Sequence, residues 1–462
     1  MLGRTRPRNI YLRLYFWAFL WFYIVWAVFN YRVQDDTFLY YDMGVDLFQH
    51  FTLGSRLADG TLIPTALRVP LCPFVFGLLH WITGDQTLTF FTYTLLQVMV
   101  TPVIPCTAYF FGRRIDRLTA LCAYLFLLFH ANVLMCSLMT LTDAFFAAAC
   151  CGVYIVTWKT LRRRSLRWAL CGGLAAGASC MIRPIMKLYF LPVILLLIFR
   201  ACGLRLFAGM MVMFLAGYFI VMSPWLARNA MLYGRPVVET LEGDNMLWNY
   251  WDLVTVRGDD PSGKRKIKEW ILSIGNYSRA YFMFYNGEDY WKKNSVIVSD
   301  ELQEIAWETY REHPIEILRR WGINCLRMTG SYSHHDEMLA MWLNSPLYLQ
   351  IRDHLFIAPE MADRIFQSFN WMATRLLRVC YLIVAPLGLA LLFFRKRALA
   401  VFIAMIIAYF TSITAIVAGY DRYRLCLEPL FAVAIIYPLI RGTAKYAGVL
   451  NASRGKNLFL HY

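Results

Sequence analysis

The sequence predicts an all-α polytopic membrane protein: a bundle of about ten or more transmembrane helices with a mixed external soluble region. Composition is the first indication, because 59% of the 462 residues are hydrophobic and 16% are aromatic. The mean hydropathy of +0.46 is also far above that of a soluble enzyme. The second indication is a series of apolar runs long enough to cross a bilayer. The third is that charge is sorted between the two ends of those runs.

Five short basic clusters interrupt the apolar runs, and all fall on one face of the membrane if each long run crosses once. They are Arg4/Arg6/Arg8, Arg113/Arg114/Arg117, Arg162/Arg163/Arg164, Arg395/Lys396/Arg397 and Arg441/Lys445. The acid-bearing segments 35–59, 140–143 and 419–424 fall on the opposite face. Short Lys/Arg-rich loops remain cytoplasmic, so the acidic face is predicted to be external. We expect the chemistry of this protein to take place there.

The apolar runs divide the chain into three parts. Residues 1–225 form an N-terminal transmembrane catalytic module with a first external loop at 31–87, residues 226–374 an external soluble region, and residues 375–462 the C-terminal transmembrane helices. The run 14–29 lacks a small-residue cleavage site and is predicted to be a retained anchor. The predicted crossings are 14–30, 88–111, 118–135, 143–158, 168–181, 185–199, 207–225, 376–394, 399–417 and 425–440, with 71–81 as an interfacial or re-entrant helix.

Composition also excludes several classes of protein. The net charge of +16 does not indicate nucleic-acid binding, because the basic residues are short anchors that contact membrane lipids and form no groove-sized patch. Most of the twelve cysteines lie in or at the ends of apolar runs, and the polar region holds only Cys325. We therefore interpret the cysteines as apolar packing residues and expect no disulfide framework.

The first external loop contains several acids that could serve as a base. A helix would place Asp46 and His50 on one face, where a carboxylate at the membrane edge can accept a proton from a bound hydroxyl. The alternative is a solvated acid or a carboxylate favoured by a helix dipole. The same role is open to Asp35, Asp36 and Asp42.

Further candidates open or close the apolar runs. Asp143 begins a run at the external boundary, where an acid is either functional or a helix cap. Arg183 and Lys187 break the charge rule, and a helix would place both on one face, suited to an anionic lipid head group. The alternative for both is snorkelling to the interface. Tyr420 and Arg422 enter the last span as an aromatic belt or a phosphate site.

In the large polar region, acids and amides mix with tryptophans around Asn245 and Trp248, after Arg228. This pattern fits a sugar-binding wall and fits equally a polar domain docked on a membrane. Adjacent histidines at 334 and 335 point apart on a helix and have no third ligand at a suitable spacing. We therefore expect no metal at these histidines, no cofactor is required, and assistance from a divalent cation elsewhere stays open.

Taken in order, six segments resemble the GT-C superfamily of polytopic glycosyltransferases, and among them the bacterial relatives of dolichyl-phosphate-mannose protein mannosyltransferases, including the lipid A aminoarabinose transferases. They are Asp46–Gly60, Arg68–Pro73, Thr142–Asp143, Arg183–Pro184, the stretch from Pro224 to Pro236, and Arg422–Leu425. Two positions depart from the family pattern: Cys72 stands where Tyr is usual, and Asp143 where Glu is usual. The long external segment matches only at its start.

The resemblance implies a membrane glycosyltransferase that moves a sugar, with inversion, from a polyprenyl-phosphate donor to a lipid, glycan or protein acceptor. Asp46 would be the base, Asp143 would position acceptor or sugar, and Arg183 would hold the donor phosphate with Lys187 and Arg422. The expected substrate-binding residues are His50, Arg68, Arg228, Asn245, Trp248 and Tyr420. Size and family branch favour a bacterial inner membrane with the active site facing the periplasm.

Two other functions remain open from the sequence. A transporter or flippase of a polar lipid would also be polytopic, but such proteins often show inverted repeats, and no repeat is evident here. A non-catalytic membrane scaffold is the third possibility. Loss of sugar transfer with intact lipid binding in an Asp46→Asn variant would separate the enzyme from both.

Overall fold

A computed structural model describes residues 7–200, 203–274, 293–330, 343–344, 359–417 and 421–458, and its architecture is almost entirely helical. The N-terminal helices are α1 (Pro7–Phe29), α2 (Asp35–His50), α3 (Leu71–Thr83), α4 (Gln86–Val100), α5 (Val103–Gly112), α6 (Arg117–Leu128), α7 (Ala131–Leu138), α8 (Asp143–Arg163), α9 (Leu166–Cys180), α10 (Phe190–Phe199) and α11 (Leu204–Tyr233). A short antiparallel hairpin, β1 (Gly54–Arg56) and β2 (Leu62–Pro64), lies between α2 and α3. The all-α class predicted from the sequence is confirmed.

The rest of the described chain is helical as well. It comprises α12 (Glu242–Leu247), α13 (Ser262–Ile274), α14 (Ser295–Glu312), α15 (Pro314–Gly330), α16 (Pro359–Val379), α17 (Ala385–Val417) and α18 (Glu428–Leu458), with shorter 3₁₀ or π segments at Pro184–Leu188, Trp251–Leu253, Cys380–Val384 and Asp421–Leu427. The predicted boundaries at 226 and 374 fall inside α11 and α16. Each of these helices therefore continues without interruption between apolar and polar sequence.

Among the described residues, six helical stretches are long and apolar enough to cross a membrane, or seven if the bent pair α6–α7 is one span. The sequence-based number of about ten also counts the shorter helices α9 and α10. One stretch, Asp363–Ile416, has 54 residues, more than twice the length of helix that a single crossing needs. Its backbone departs from helical geometry at Lys396, inside a predicted basic cluster, so this stretch contains two of the predicted spans. The protein is integral to the membrane.

Local sequence explains where several helices begin and end. Asp85 and Asp116 cap α4 and α6, because a side-chain oxygen of each accepts the backbone N–H three residues later at 2.7 Å. Gly234 ends α11 with a φ of +73°, a left-handed conformation that glycine adopts without strain. That stop directs the chain from α11 back across the loops that follow α2.

Two hydrophobic cores hold the molecule together. The larger core fills the helix bundle. The smaller core lies in the polar part of the chain and joins α12, α13 and α14 through Leu247, Ile267, Val298 and Ile305. Leu67, from the loop before α3, is buried in this smaller core. The loop around residues 65–71 therefore connects the bundle with the polar helices.

Candidate functional site

Hydrogen bonds to backbone carbonyl oxygens bring four separate loops together at one end of the bundle. The N–H of Leu71 donates to Met181 O at 3.1 Å, which joins the loop before α3 to the end of α9. The N–H of Thr240 donates to Ala66 O at 3.0 Å and adds the segment that follows α11. The Thr37 hydroxyl donates to Thr140 O at 2.7 Å, so the N-terminal end of α2 meets the start of α8. Four of the predicted site residues, Arg68, Asp143, Arg183 and Lys187, lie on or next to these loops.

Asp143 and Arg183 are in direct contact. Arg183 Nη2 lies 2.8 Å from Asp143 Oδ2, and Arg183 Nε donates to Thr142 Oγ1 at 2.8 Å. The Asp143 side chain is only 3% exposed, whereas one fifth of the Arg183 side chain is exposed. The Arg183 guanidinium also lies 5.6 Å from the centre of the Tyr423 ring. Arg183 is thus fixed by residues from two other parts of the chain while part of its charge remains accessible.

Arg68 and Asp36 form a second pair beside the first. Arg68 Nη2 lies 3.4 Å from Asp36 Oδ1, and its guanidinium lies 5.4 Å from the centre of the Tyr40 ring. Burial raises the pKa of Tyr40 to about 12, and Arg68, Asp36 and Arg183 are the nearest charges that act on it. Both arginines therefore lie close enough to one buried tyrosine for their charges to act on it.

Lys187 makes a third pair, with Glu242 of α12. The sequence pattern predicts Lys187 on the same helical face as Arg183, and that prediction is wrong. Arg183 has an extended backbone because it precedes Pro184, and the residues after it form a 3₁₀ helix. Lys187 consequently points to the polar helices. We refer to Asp36, Arg68, Asp143, Arg183, Lys187 and Glu242 as the charged cluster.

Asp46 lies elsewhere on α2. It is ten residues beyond Asp36, which corresponds to about 15 Å along a helix axis. Its carboxylate is buried and paired with Arg56 of β1, whose Nη2 also lies 3.5 Å from His50 Nε2. Asp46 and His50 both belong to α2, and their spacing of four residues puts them on one face of that helix, as expected. Asp36, one of the acids that compete with Asp46 for the role of base, is paired with Arg68 in the charged cluster.

Three predicted substrate-binding residues, Arg228, Asn245 and Trp248, lie on or just after the helices α11 and α12 and outside the charged cluster. Arg228 donates to the backbone oxygens of Thr65 and Leu53, each at 2.9 Å, and so ties α11 to the loop before α3. Asn245 and Trp248 are half-buried in and just after α12. Next to them, Tyr250 is 1% exposed.

The last predicted constellation is divided. Arg422 is in the 3₁₀ segment Asp421–Leu427, but its side chain and all of Tyr420 lie outside the described residues, as do His334 and His335. Arg424 is completely buried, and its Nε lies 2.8 Å from Glu428 Oε1. Asn132 also donates to Glu428 at 3.0 Å, and the Tyr381 hydroxyl bonds the same carboxylate. Arg424 is therefore an internal residue that holds the Glu428 carboxylate.

One acid of the polar segment before Trp248 was not among the predicted site residues but lies next to them in the structure. Glu239 is half-buried beside the charged cluster, and burial raises the pKa of its carboxyl to about 7, against the opposing effect of Lys187 and Arg68. A carboxyl that titrates near neutrality is a common mark of a functional site. Only the fold brings Lys187 and Arg68 next to Glu239, so spacing along the chain gave no signal. Within the described part of the chain, no group of three potential ligands could hold a metal ion.

No protein-family model and no curated protein sequence matches this chain. Among solved structures, it is similar to ArnT from Cupriavidus metallidurans bound to undecaprenyl phosphate, with 11% identity and a TM-score of 0.38. The apo form of the same protein gives 12% identity and a TM-score of 0.34. Both likenesses cover 94% of this chain and 78% of the other.

Proposed function

We propose that this protein is a membrane glycosyltransferase that transfers a sugar from a polyprenyl-phosphate donor to an acceptor at the end of the bundle where the charged cluster lies. The observation that carries the proposal is the concentration of three cations, Arg68, Arg183 and Lys187, on neighbouring loops at one end of the helix bundle. Fixed cations at the end of a membrane bundle suit a phosphate attached to a lipid chain. We place this end of the bundle in the periplasm of a bacterium, in line with the distribution of basic loops.

The proposed reaction is a single displacement at the anomeric carbon. An acceptor oxygen forms a bond to that carbon while the bond to the phosphate oxygen breaks, and the phosphate leaves with the electron pair. Arg183 and its neighbouring cations stabilise the negative charge that develops on the phosphate. A carboxylate takes the acceptor proton, and attack from the opposite face inverts the centre. Asp143 positions Arg183 and the sugar.

Two aspartates of α2 are candidates for the base. Asp46 is the residue expected from the resemblance, and its carboxylate is buried against Arg56. Asp36 contacts Arg68 inside the charged cluster. Separate Asp46→Asn and Asp36→Asn variants distinguish them, because only the variant of the base loses transfer while it keeps donor binding.

Donor binding gives the direct test. Undecaprenyl phosphate is titrated into the purified protein by microscale thermophoresis, with Arg183→Gln as the variant. Loss of a charge-assisted phosphate contact is expected to cost about 1.5–3 kcal/mol, or roughly 10- to 150-fold in Kd. The control is Arg319→Gln, since Arg319 is 60% exposed and pairs only within its own helix. Equal affinity of wild type and Arg183→Gln contradicts the phosphate assignment.

A flippase of a lipid-linked sugar is the second candidate, and one observation favours it. The pair α6–α7 is bent by 48° at a break between two apolar helices, a feature of transporters. Proteoliposomes separate the two functions: a flippase moves labelled lipid between leaflets without an acceptor, whereas a transferase releases the polyprenyl phosphate only when an acceptor is present.

A further inference from the structure

A cavity of about 310 Å³ lies between the segment that follows α11 and the helix α14. Its walls are mostly polar, with lining residues 235–240 and Glu242 on one side and Val296, Ser299, Asp300 and Gln303 on the other. This volume is at the lower end of small-molecule sites. The cavity adjoins the charged cluster, because Glu242 belongs to both.

Glu239 is the carboxylate in this cavity that has no fixed partner. Arg235 pairs with Asp300, and Lys187 pairs with Glu242. Glu239 makes no hydrogen bond and no ion pair with any residue that the structure describes. A half-buried carboxylate in this state has lost part of its hydration without replacing it.

Thr240 is a second, independent indication of a ligand. Its backbone N–H bonds to Ala66 O, but its hydroxyl oxygen is buried without a hydrogen-bond partner among the described residues. The residue is 1% exposed and lines the cavity. Buried polar groups in folded proteins are nearly always hydrogen-bonded, so an orphaned hydroxyl next to an unpaired carboxylate indicates a missing partner.

We propose that this cavity binds a carbohydrate headgroup of the acceptor, whose hydroxyls hydrogen-bond to the Glu239 carboxylate and the Thr240 hydroxyl. The inference rests on the proposed function and adds the acceptor class and its subsite. Of the three carboxylates that line the cavity, Glu242 and Asp300 are neutralised by Lys187 and Arg235, so it is the uncompensated charge of Glu239 that disfavours an anionic ligand. An apolar ligand would leave Glu239 and Thr240 without partners. A ligand with several hydroxyls satisfies both residues, and Ser299 and Gln303 as well.

The charge state of Glu239 gives this site a pH dependence. The groups that act on it are Lys187, Arg68, Glu242 and Asp244, and burial dominates in raising its pKa to about 7. The ionised carboxylate accepts stronger hydrogen bonds from hydroxyls than the neutral acid does. Affinity for a glycoside is therefore expected to rise with pH through about 7 and to level off above it.

The test is saturation-transfer NMR with the full-length protein in lipid nanodiscs, no donor, and methyl β-D-glucopyranoside as the probe. Cyclohexanol serves as a ring-sized control without the set of hydroxyls. We expect saturation of the glycoside at pH 8, weaker saturation at pH 6, and none of cyclohexanol. Glu239→Gln should weaken binding about tenfold and remove its pH dependence. Val296→Trp should block binding by filling the cavity while every polar group remains.

The matched control is Glu304→Gln. It removes a carboxylate from α14, the helix that forms one wall of the cavity, at a position that is 69% exposed and outside the cavity. Undecaprenyl phosphate binding, measured on the same samples, reports correct folding and tests the proposed function separately. Lost glycoside binding with retained donor binding supports the inference. Absence of glycoside binding in wild type, or binding that neither Glu239→Gln nor Val296→Trp weakens, overturns it even if the Arg183 prediction is met.

Discussion

At the scale of single residues, the three cations of the charged cluster are neutralised in pairs, whereas Glu239 beside them has no such partner among the residues that the structure describes. Asp143 holds Arg183, Asp36 holds Arg68, and Glu242 holds Lys187. When a ligand displaces one member of such a pair, the other member keeps its charge. An unpaired half-buried carboxylate instead costs stability, a cost typical of residues retained for function.

That cost leads to a prediction for Glu239. Its pKa is raised from 4.5 in the unfolded chain to about 7 in the folded protein. Below pH 4.5 the carboxyl is protonated in both states; between 4.5 and 7 the unfolded chain ionises first, and the free energy of unfolding falls. Glu239→Gln should therefore unfold at a higher temperature than wild type at pH 8 and at the same temperature at pH 4. A constant difference across this range would speak against the raised pKa.

Arg424 gives the opposite kind of prediction, because its role is structural. Arg424→Ala leaves the Glu428 carboxylate buried without its cation and should reduce the free energy of unfolding by about 3–5 kcal/mol. Arg319→Ala, on an exposed helix face, should leave it nearly unchanged, because exposed ion pairs contribute little to stability. Replacing both partners, as Arg424→Met with Glu428→Leu, should recover much of the loss. Chemical denaturation in detergent measures all three, and an unaltered midpoint for Arg424→Ala refutes the structural role.

At the scale of elements, the bundle depends on the close approach of α9 and α11. A Cβ built on Gly173 would lie 1.8 Å from Phe214 O, and one on Gly217 would lie 2.4 Å from Leu170 O. Small residues let two membrane helices approach to backbone contact, where dispersion forces are strongest. This contact fixes the end of α9, and Arg183 follows that end directly.

The corresponding prediction concerns Gly173→Ala. One added methyl must push the two helices apart, which should cost about 1–3 kcal/mol of unfolding free energy. The control is Gly152→Ala on α8, where an added Cβ meets nothing within 4 Å. That variant should be neutral or slightly stabilising, since alanine is the better helix former. Equal unfolding midpoints for the two variants contradict the predicted close packing.

At the scale of the whole molecule, the arrangement of charge predicts an orientation in the membrane. The basic cluster after α8 is expected in the cytoplasm, and the hairpin with the charged cluster in the periplasm. A cysteine introduced at exposed Arg164 should react with a membrane-impermeant maleimide only in inverted vesicles. One at exposed Asp59 should react only in intact spheroplasts. The reverse pattern would place the proposed chemistry on the cytoplasmic side.

The sequence by itself determined the all-α class and most of the apolar helices. It also singled out the carboxylate of Asp143 and the cation of Arg183, which the fold brings into contact. These depend on hydropathy, charge and short motifs, which act locally and are legible along the chain. Only the tertiary structure decided that Asp36 contacts the charged cluster and Asp46 pairs with Arg56, that Lys187 turns away from Arg183, that Arg424 is internal, and that Glu239 is unpaired. Each of those outcomes depends on contacts between residues far apart in sequence, and local pattern carries no information about such contacts.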